Sequence, residues 1–120
     1  HTSDKVLHLM RKPSFKLFRE LTVRFNAINN KEHLKQQIIP YFISSHPGCS
    51  LEDMADLAIN TKELDFKLEQ VQDFTPTPMT LATDMYYSGF HPYSLRKIQS
   101  AKTETEKTPE HIFLLVQTGI

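Results

Sequence analysis

The sequence has 120 residues, of which 14 are basic and 14 are acidic, so its formal net charge is zero. This balance lacks the basic excess that is typical of a general nucleic-acid binder. The single cysteine, Cys49, excludes an internal disulfide, and it excludes an iron–sulfur cluster or cysteine-rich zinc site built from this chain alone. No apolar run approaches the roughly 20 residues that span a bilayer, so we expect no membrane insertion and a cytoplasmic location.

The first third of the chain predicts two helices. Ser3 and its neighbours supply capping oxygens before a short helix over residues 5–10. Ser14 then caps a longer helix that ends near residues 29–30. The apolar residues of this second helix recur at intervals of three and four and predict one buried stripe: Phe18, Leu21, Phe25 and Ile28.

A first strand–loop–helix unit follows. Residues 38–44 are apolar and rich in β-branched and aromatic types, which predicts a strand, and Pro40 indicates that it begins late or lies at an edge. A His-Pro-Gly turn leads to a helix that begins with a near capping box at Ser50 and Asp53 and ends near Lys62. The predicted apolar stripe of this helix comprises Leu51, Met54, Ala55, Ala58 and Ile59.

A second unit of the same outline comes next. Residues 66–71 alternate in polarity and predict a strand. The two prolines that follow hold residues 73–78 extended, so Thr77 is expected to cap the next helix with Pro78 at its first position. Gly89 is expected to end that helix in the left-handed conformation.

Two successive units of this kind predict an α/β fold with a parallel sheet, in which ligands bind outside the carboxyl ends of the strands. Beyond residue 100 the chain predicts a polar linker and an apolar tail over residues 101–120. Residues 112–116 are a candidate for a third strand.

Three motifs resemble segments of the radical S-adenosylmethionine enzymes. Residues 41–48 and the acidic helix start at 51–54 resemble the loop after the fifth strand of that family. Residues 74–80 resemble the loop after the sixth strand, and residues 2–7 resemble the end of the fourth strand with the helix that follows it. The resemblance is closer still to the YgiQ-like subgroup, in the runs at 44–49, 68–78 and 86–89.

The resemblance implies that residues 1–100 are the C-terminal portion of a TIM-like barrel, with two to three parallel strands and flanking helices. A parent enzyme would bind S-adenosylmethionine and a 4Fe-4S cluster, and it would generate a 5′-deoxyadenosyl radical that abstracts hydrogen from an unknown substrate. The three cysteines that hold the cluster lie earlier in such proteins, so the resemblance implies that this chain alone is inactive and holds no metal.

The resemblance also implies a set of residues around the adenosyl group and the substrate: Ser3, Ser45, His46, Pro47, Gly48, Gln72, Asp73, Phe74 and Thr75. From the residues alone, Pro47–Gly48 is equally a tight turn, Ser3 a helix cap, and His46 a side chain that bonds the loop backbone. No catalytic side chain is assigned within the chain.

An alternative reading is a non-catalytic α/β module that binds a nucleotide-like ligand or a partner protein, and a weaker one is a structural fragment without affinity for a ligand. A Cys-x-x-x-Cys-x-x-Cys motif upstream in the parent protein would favour the first reading. A partial barrel exposes strand edges, so self-association is also expected.

Overall fold

The computed structural model describes residues 1–65, 70–103 and 105–106 as a mixed α/β arrangement. Its elements in chain order are α1 (Asp4–Leu9), α2 (Phe15–Lys31), β1 (Tyr41–Ser44), α3 (Leu51–Glu63), β2 (Gln70–Asp73) and α4 (Leu81–Ser88). No helix in this described part is long and apolar enough to cross a membrane. The candidate strand at 112–116 lies outside the described residues, as does most of the predicted tail.

The two strands are neighbours and run parallel. Tyr41 pairs with Gln70 at one end of the register, and Ser44 pairs with Asp73 at the other. The prediction that both strand–loop–helix units share one parallel layer is therefore confirmed. The described part holds two strands of such a sheet, and the larger barrel remains a prediction.

The helix starts follow from local capping chemistry. The Ser50 hydroxyl accepts the Asp53 N–H while the Asp53 carboxylate accepts the Ser50 N–H, which is the predicted capping box. Ser14 caps α2, and Gly89 ends α4 in the left-handed conformation as predicted.

The predicted start of α4 is wrong by three residues. The helix is capped by Thr80, whose hydroxyl accepts the N–H of Thr83 at 3.3 Å, instead of by Thr77. Met79 adopts a left-handed conformation with φ of 64°. A helix cannot run through such a residue, so a turn at residues 78–79 separates the proline-containing segment from the helix start at Thr80.

The core lies between α1, β1 and α3. Its buried members are Val6, Phe42, Cys49, Met54 and Leu57. The predicted stripe of α3 is shifted, because Leu51 and Ile59 are exposed while Leu57 and Thr61 join Met54 and Ala58 on the buried face. The true stripe thus runs from Met54 at helical spacing and not from Leu51.

The predicted buried stripe of α2 is also wrong within the described part of the chain. Leu21 is 56% exposed and Ile28 is 59% exposed, and the buried residue of this helix is Thr22. The apolar side of α2 borders an open groove of about 630 Å³ next to β1. We call this the α2 groove; Leu17, Phe18, Leu21, Tyr41 and Phe42 are among its lining residues.

Candidate functional site

A cavity of about 460 Å³ opens at the carboxyl ends of β1 and β2. Five of the nine predicted site residues line it: His46, Gln72, Asp73, Phe74 and Thr75. We call it the strand-end cavity. Its lining residues do not include Ser3, Ser45, Pro47 or Gly48. The cavity therefore joins the predicted loop after β2 to one residue, His46, of the predicted loop after β1.

The last residues of the strands fix the floor of this cavity. The Ser44 hydroxyl donates a hydrogen bond to the Asp73 carboxylate across the strand pair. The Phe74 N–H donates to the Ser44 carbonyl at 2.9 Å and extends the ladder by one bond. Asp73 and Phe74 are therefore fixed by pairing with β1 and do not belong to an unpaired loop.

His46 is a buried side chain with one nitrogen already engaged. Its Nδ1 lies 2.9 Å from the Pro47 carbonyl oxygen, which can only accept, so in the neutral ring Nδ1 carries the proton and Nε2 is an acceptor. Burial lowers the pKa of His46, although the bond to Pro47 acts in the opposite direction. The neutral imidazole is therefore the form favoured at neutral pH.

Phe74 joins His46 to an aromatic group on α4. Its ring meets the His46 ring edge-on, with centroids 5.3 Å apart, and lies 5.7 Å from the ring of Tyr86. Phe74 is itself 8% exposed. Phe74 is thus packed between His46 and Tyr86, and it lines the cavity next to the Asp73 carboxylate.

The Pro47–Gly48 turn is packed against other parts of the chain. Gly48 has a φ of 84°, and its N–H donates to the Gln99 carbonyl at 2.6 Å. The space that a Cβ at position 48 would need is occupied by the end of the Leu9 side chain. The absence of a side chain at Gly48 thus lets Leu9 of α1 pack against this turn. A ligand contact at the turn remains a prediction.

Ser45 carries an unusual combination of strain and burial. It is 2% exposed, its φ is 58°, and its hydroxyl has no hydrogen-bond partner among the described residues. A buried hydroxyl without a partner is costly. This makes Ser45 the position in the first loop where a hydrogen bond from a further group would gain most.

Ser3 belongs to a separate polar cluster that joins α1 to α3. Although Ser3 occupies the N-cap position of α1, its side chain makes no cap bond and instead donates to Asp53 at 2.7 Å. Asp53 also accepts from Ser50 and forms an ion pair of 2.8 Å with Lys5. Burial raises the pKa of Asp53, but the bonds from Lys5, Ser3 and Ser50 outweigh it and lower the pKa to about 2.

Sequence reasoning missed four polar residues of the strand-end cavity: Arg11, Lys12, Thr77 and Thr80. Of these, Thr77 was expected to cap a helix. For Arg11 and Lys12 the sequence offers one indication, which is their position between the end of the short first helix and Pro13. Only the fold shows that this helix end lies beside the β2 loop.

The described residues hold no group of three or more His, Cys, Asp or Glu side chains placed to bind a metal ion. Cys49 is buried, and its Sγ lies 3.3 Å from Nε2 of His1. Since the sequence has one cysteine, a 4Fe-4S cluster would need its ligands from residues outside this chain.

Comparison with known proteins relates the chain to longer proteins. Residues 69–109 match the family model described as a domain of unknown function, DUF3362. The chain is 65% identical over 113 residues to a UPF0313 protein of Porphyromonas gingivalis and 64% identical over 113 residues to one of Bacteroides thetaiotaomicron, in each case covering 94% of this chain. A UPF0313 protein of Methanocella arvoryzae is 43% identical over 107 residues, which cover 89% of the chain.

The chain spans about 18% of the length of these curated relatives. No solved structure matches it. The chain is therefore homologous to a segment of UPF0313 proteins, which is consistent with the YgiQ-like resemblance. The names of these relatives state no activity.

Proposed function

We propose that this chain forms part of the S-adenosylmethionine and substrate pocket of a longer radical S-adenosylmethionine enzyme. The observation that carries the proposal is the parallel pairing of β1 with β2, because it brings the ends of two predicted ligand loops to one cavity. A volume of about 460 Å³ lies within the range of small-molecule sites, roughly 300–1,000 Å³.

The side chains of the strand-end cavity suit an adenosyl group. Phe74 offers an apolar edge for a flat base, and Asp73 offers carboxylate oxygens that accept hydrogen bonds from ribose hydroxyls. His46 adds a neutral Nε2 acceptor. In this role the chain binds and orients the cofactor and keeps water away from it.

The 4Fe-4S cluster itself does not fit this chain, because the sequence has one cysteine and it is buried in the core. In the proposed parent the cluster would supply one electron, which would cleave S-adenosylmethionine into methionine and a 5′-deoxyadenosyl radical. Its ligands are expected from a Cys-x-x-x-Cys-x-x-Cys motif upstream of the segment that matches this chain. The match to about 18% of much longer relatives leaves room for such a region.

The direct test uses the full-length UPF0313 protein of Porphyromonas gingivalis. After anaerobic loading with iron and sulfide, the protein is reduced in the presence of S-adenosylmethionine, and 5′-deoxyadenosine is quantified. The proposal predicts 5′-deoxyadenosine from the loaded protein and none from a variant that lacks the three upstream cysteines. A relative without that cysteine motif, or a loaded protein that does not bind S-adenosylmethionine, would contradict the proposal and favour a non-catalytic binding module.

A further inference from the structure

The end of α1 has a backbone geometry that normally selects glycine. The Lys12 N–H donates to the Leu7 carbonyl at 2.8 Å, and the Arg11 N–H donates to the His8 carbonyl at 3.0 Å. These two bonds form a Schellman motif, in which the residue at the position of Arg11 adopts the left-handed conformation. Arg11 has a φ of 56°, so a strained arginine stands where glycine would be less costly.

Arg11 and Lys12 are exposed, and both are among the lining residues of the strand-end cavity. Within residues 1–65, 70–103 and 105–106, neither side chain forms an ion pair. The Arg11 guanidinium lies 5.3 Å from the centroid of the Tyr93 ring, which orients it without neutralising its charge.

The cavity has an excess of positive charge that nothing in the described part cancels. Its acidic lining residue is Asp73, whose carboxylate already accepts the Ser44 hydroxyl. With two cations and one carboxylate, the formal charge of the lining is +2 − 1 = +1 when His46 is neutral. An excess of one sign of charge in a cleft raises the local concentration of ions of the opposite sign.

The simpler explanation is that basic residues at a helix C-terminus offset the helix dipole. That effect accounts for a positive charge near the end of α1, and Lys12 alone would supply it. Left-handed residues other than glycine also follow α2 and α3, at His33 and Asp65, so the strain at Arg11 is not in itself a mark of a ligand. What the dipole does not require is a second cation, Arg11, at the same cavity.

We propose that Arg11 and Lys12 bind an anionic group, a carboxylate or a phosphate, on the substrate of this site. This inference rests on the proposed function, in which Asp73 and Phe74 contact the adenosyl group. The planar guanidinium pairs with either anion through two parallel hydrogen bonds, and the Lys12 ammonium adds a second charge.

The test measures binding of inorganic phosphate and of acetate to the 120-residue chain from amide shifts of residues 10–12 and 72–75. We expect saturable shifts with at least one anion, and the stronger anion identifies the group that the substrate carries. Arg11→Gly should weaken binding by about tenfold or more, because a charged hydrogen bond is lost, while the chain stays at least as stable. Arg11→Asn, which also tolerates the left-handed conformation, and Lys12→Gln should weaken binding in the same direction.

The matched control is the double variant Arg96→Gln/Lys97→Gln, which removes another adjacent basic pair that does not line the cavity. It should leave anion binding unchanged. Absence of saturable binding, wild-type binding by Arg11→Gly and Arg11→Asn, or an equal loss in the control would overturn the inference. S-adenosylhomocysteine is titrated in parallel. If the chain binds anions but not S-adenosylhomocysteine, the proposed function alone is contradicted. If it binds S-adenosylhomocysteine but not anions, this inference alone is contradicted.

Discussion

Ser44 and Asp73 end two neighbouring parallel strands, and the Ser44 hydroxyl donates a hydrogen bond to the Asp73 carboxylate. The bond ties the loop after β1 to the loop after β2 at the floor of the strand-end cavity. It also holds a carboxylate in place beside Phe74 before any ligand arrives. Preorganisation of this kind lowers the cost of binding, because the side chain does not need to be ordered by the ligand.

Ser44→Ala and Ser45→Ala should differ in their effect on stability. The first removes the bond to Asp73 and should lower the free energy of unfolding by about 1–2 kcal/mol. The second removes a buried hydroxyl that has no hydrogen-bond partner among the described residues, so stability should stay the same or rise. Urea denaturation measures both, and an equal loss in the two variants would show that Ser45 is bonded in the folded chain.

Asp53→Asn should destabilise the fold, because Asp53 joins α1 to α3 through Ser3, Ser50 and Lys5. Asp56→Asn, on the exposed side of the same helix, is the control and should have little effect. The pKa of Asp53 is lowered from 3.8 to about 2 in the folded chain. Its contribution is therefore complete above about pH 4 and is lost as the pH falls through about 2.

The pH prediction is checked by urea denaturation at several pH values. The difference in unfolding free energy between the unsubstituted chain and the Asp53→Asn variant should be largest near neutral pH and should shrink towards pH 2. A difference that stays constant over this range would mean that the carboxylate charge does not contribute.

Gly48→Ala should cost more stability than Gly89→Ala. Both glycines have positive φ, 84° and 73°, so each substitution introduces backbone strain of about 1 kcal/mol. A Cβ at position 89 meets open space, whereas a Cβ at position 48 overlaps the Leu9 side chain. Thermal or urea unfolding measures the free energy of unfolding of both variants, and the difference between them reports the packing of the Pro47–Gly48 turn on α1. Equal losses of stability would mean that Leu9 moves aside without cost.

Leu21→Glu should reduce self-association of the chain. Leu21 is exposed and lines the α2 groove, an apolar surface of the kind that drives association in water. Val23→Glu introduces the same charge at a position on α2 that is also exposed but does not line the groove. Sedimentation velocity over a range of concentrations should show a shift towards monomer for Leu21→Glu only. An unsubstituted 120-residue chain that is monomeric at all concentrations would contradict the prediction.

Much of the local structure could be predicted from the sequence because its signals are short-range. Ser50 and Asp53 identify a capping box within four residues, and Gly89 ends its helix through its own backbone freedom. The parallel order of the strands followed from the repeated strand–loop–helix outline. Thr80 was missed as a cap because the left-handed conformation of Met79 has no signal in residue type.

The remaining features depend on packing between distant segments. Periodicity showed that α2 has an apolar side, but it could not show that this side borders an open groove instead of a core. Nothing in the local sequence around Arg11 and Lys12 indicates a cavity, and only the fold places the end of α1 beside the β2 loop. Likewise the bond from Ser3 to Asp53 joins residues 50 positions apart, which no local pattern records.

The proposed function requires the strand-end cavity to receive an adenosyl group. Amide spectra of the folded 120-residue chain, titrated with S-adenosylhomocysteine to millimolar concentrations, test it most directly. Saturable shifts are expected at His46 and at residues 72–75, weakened by Asp73→Asn and unaffected by Val23→Glu. An unchanged spectrum, or shifts confined to residues of the α2 groove, would contradict it.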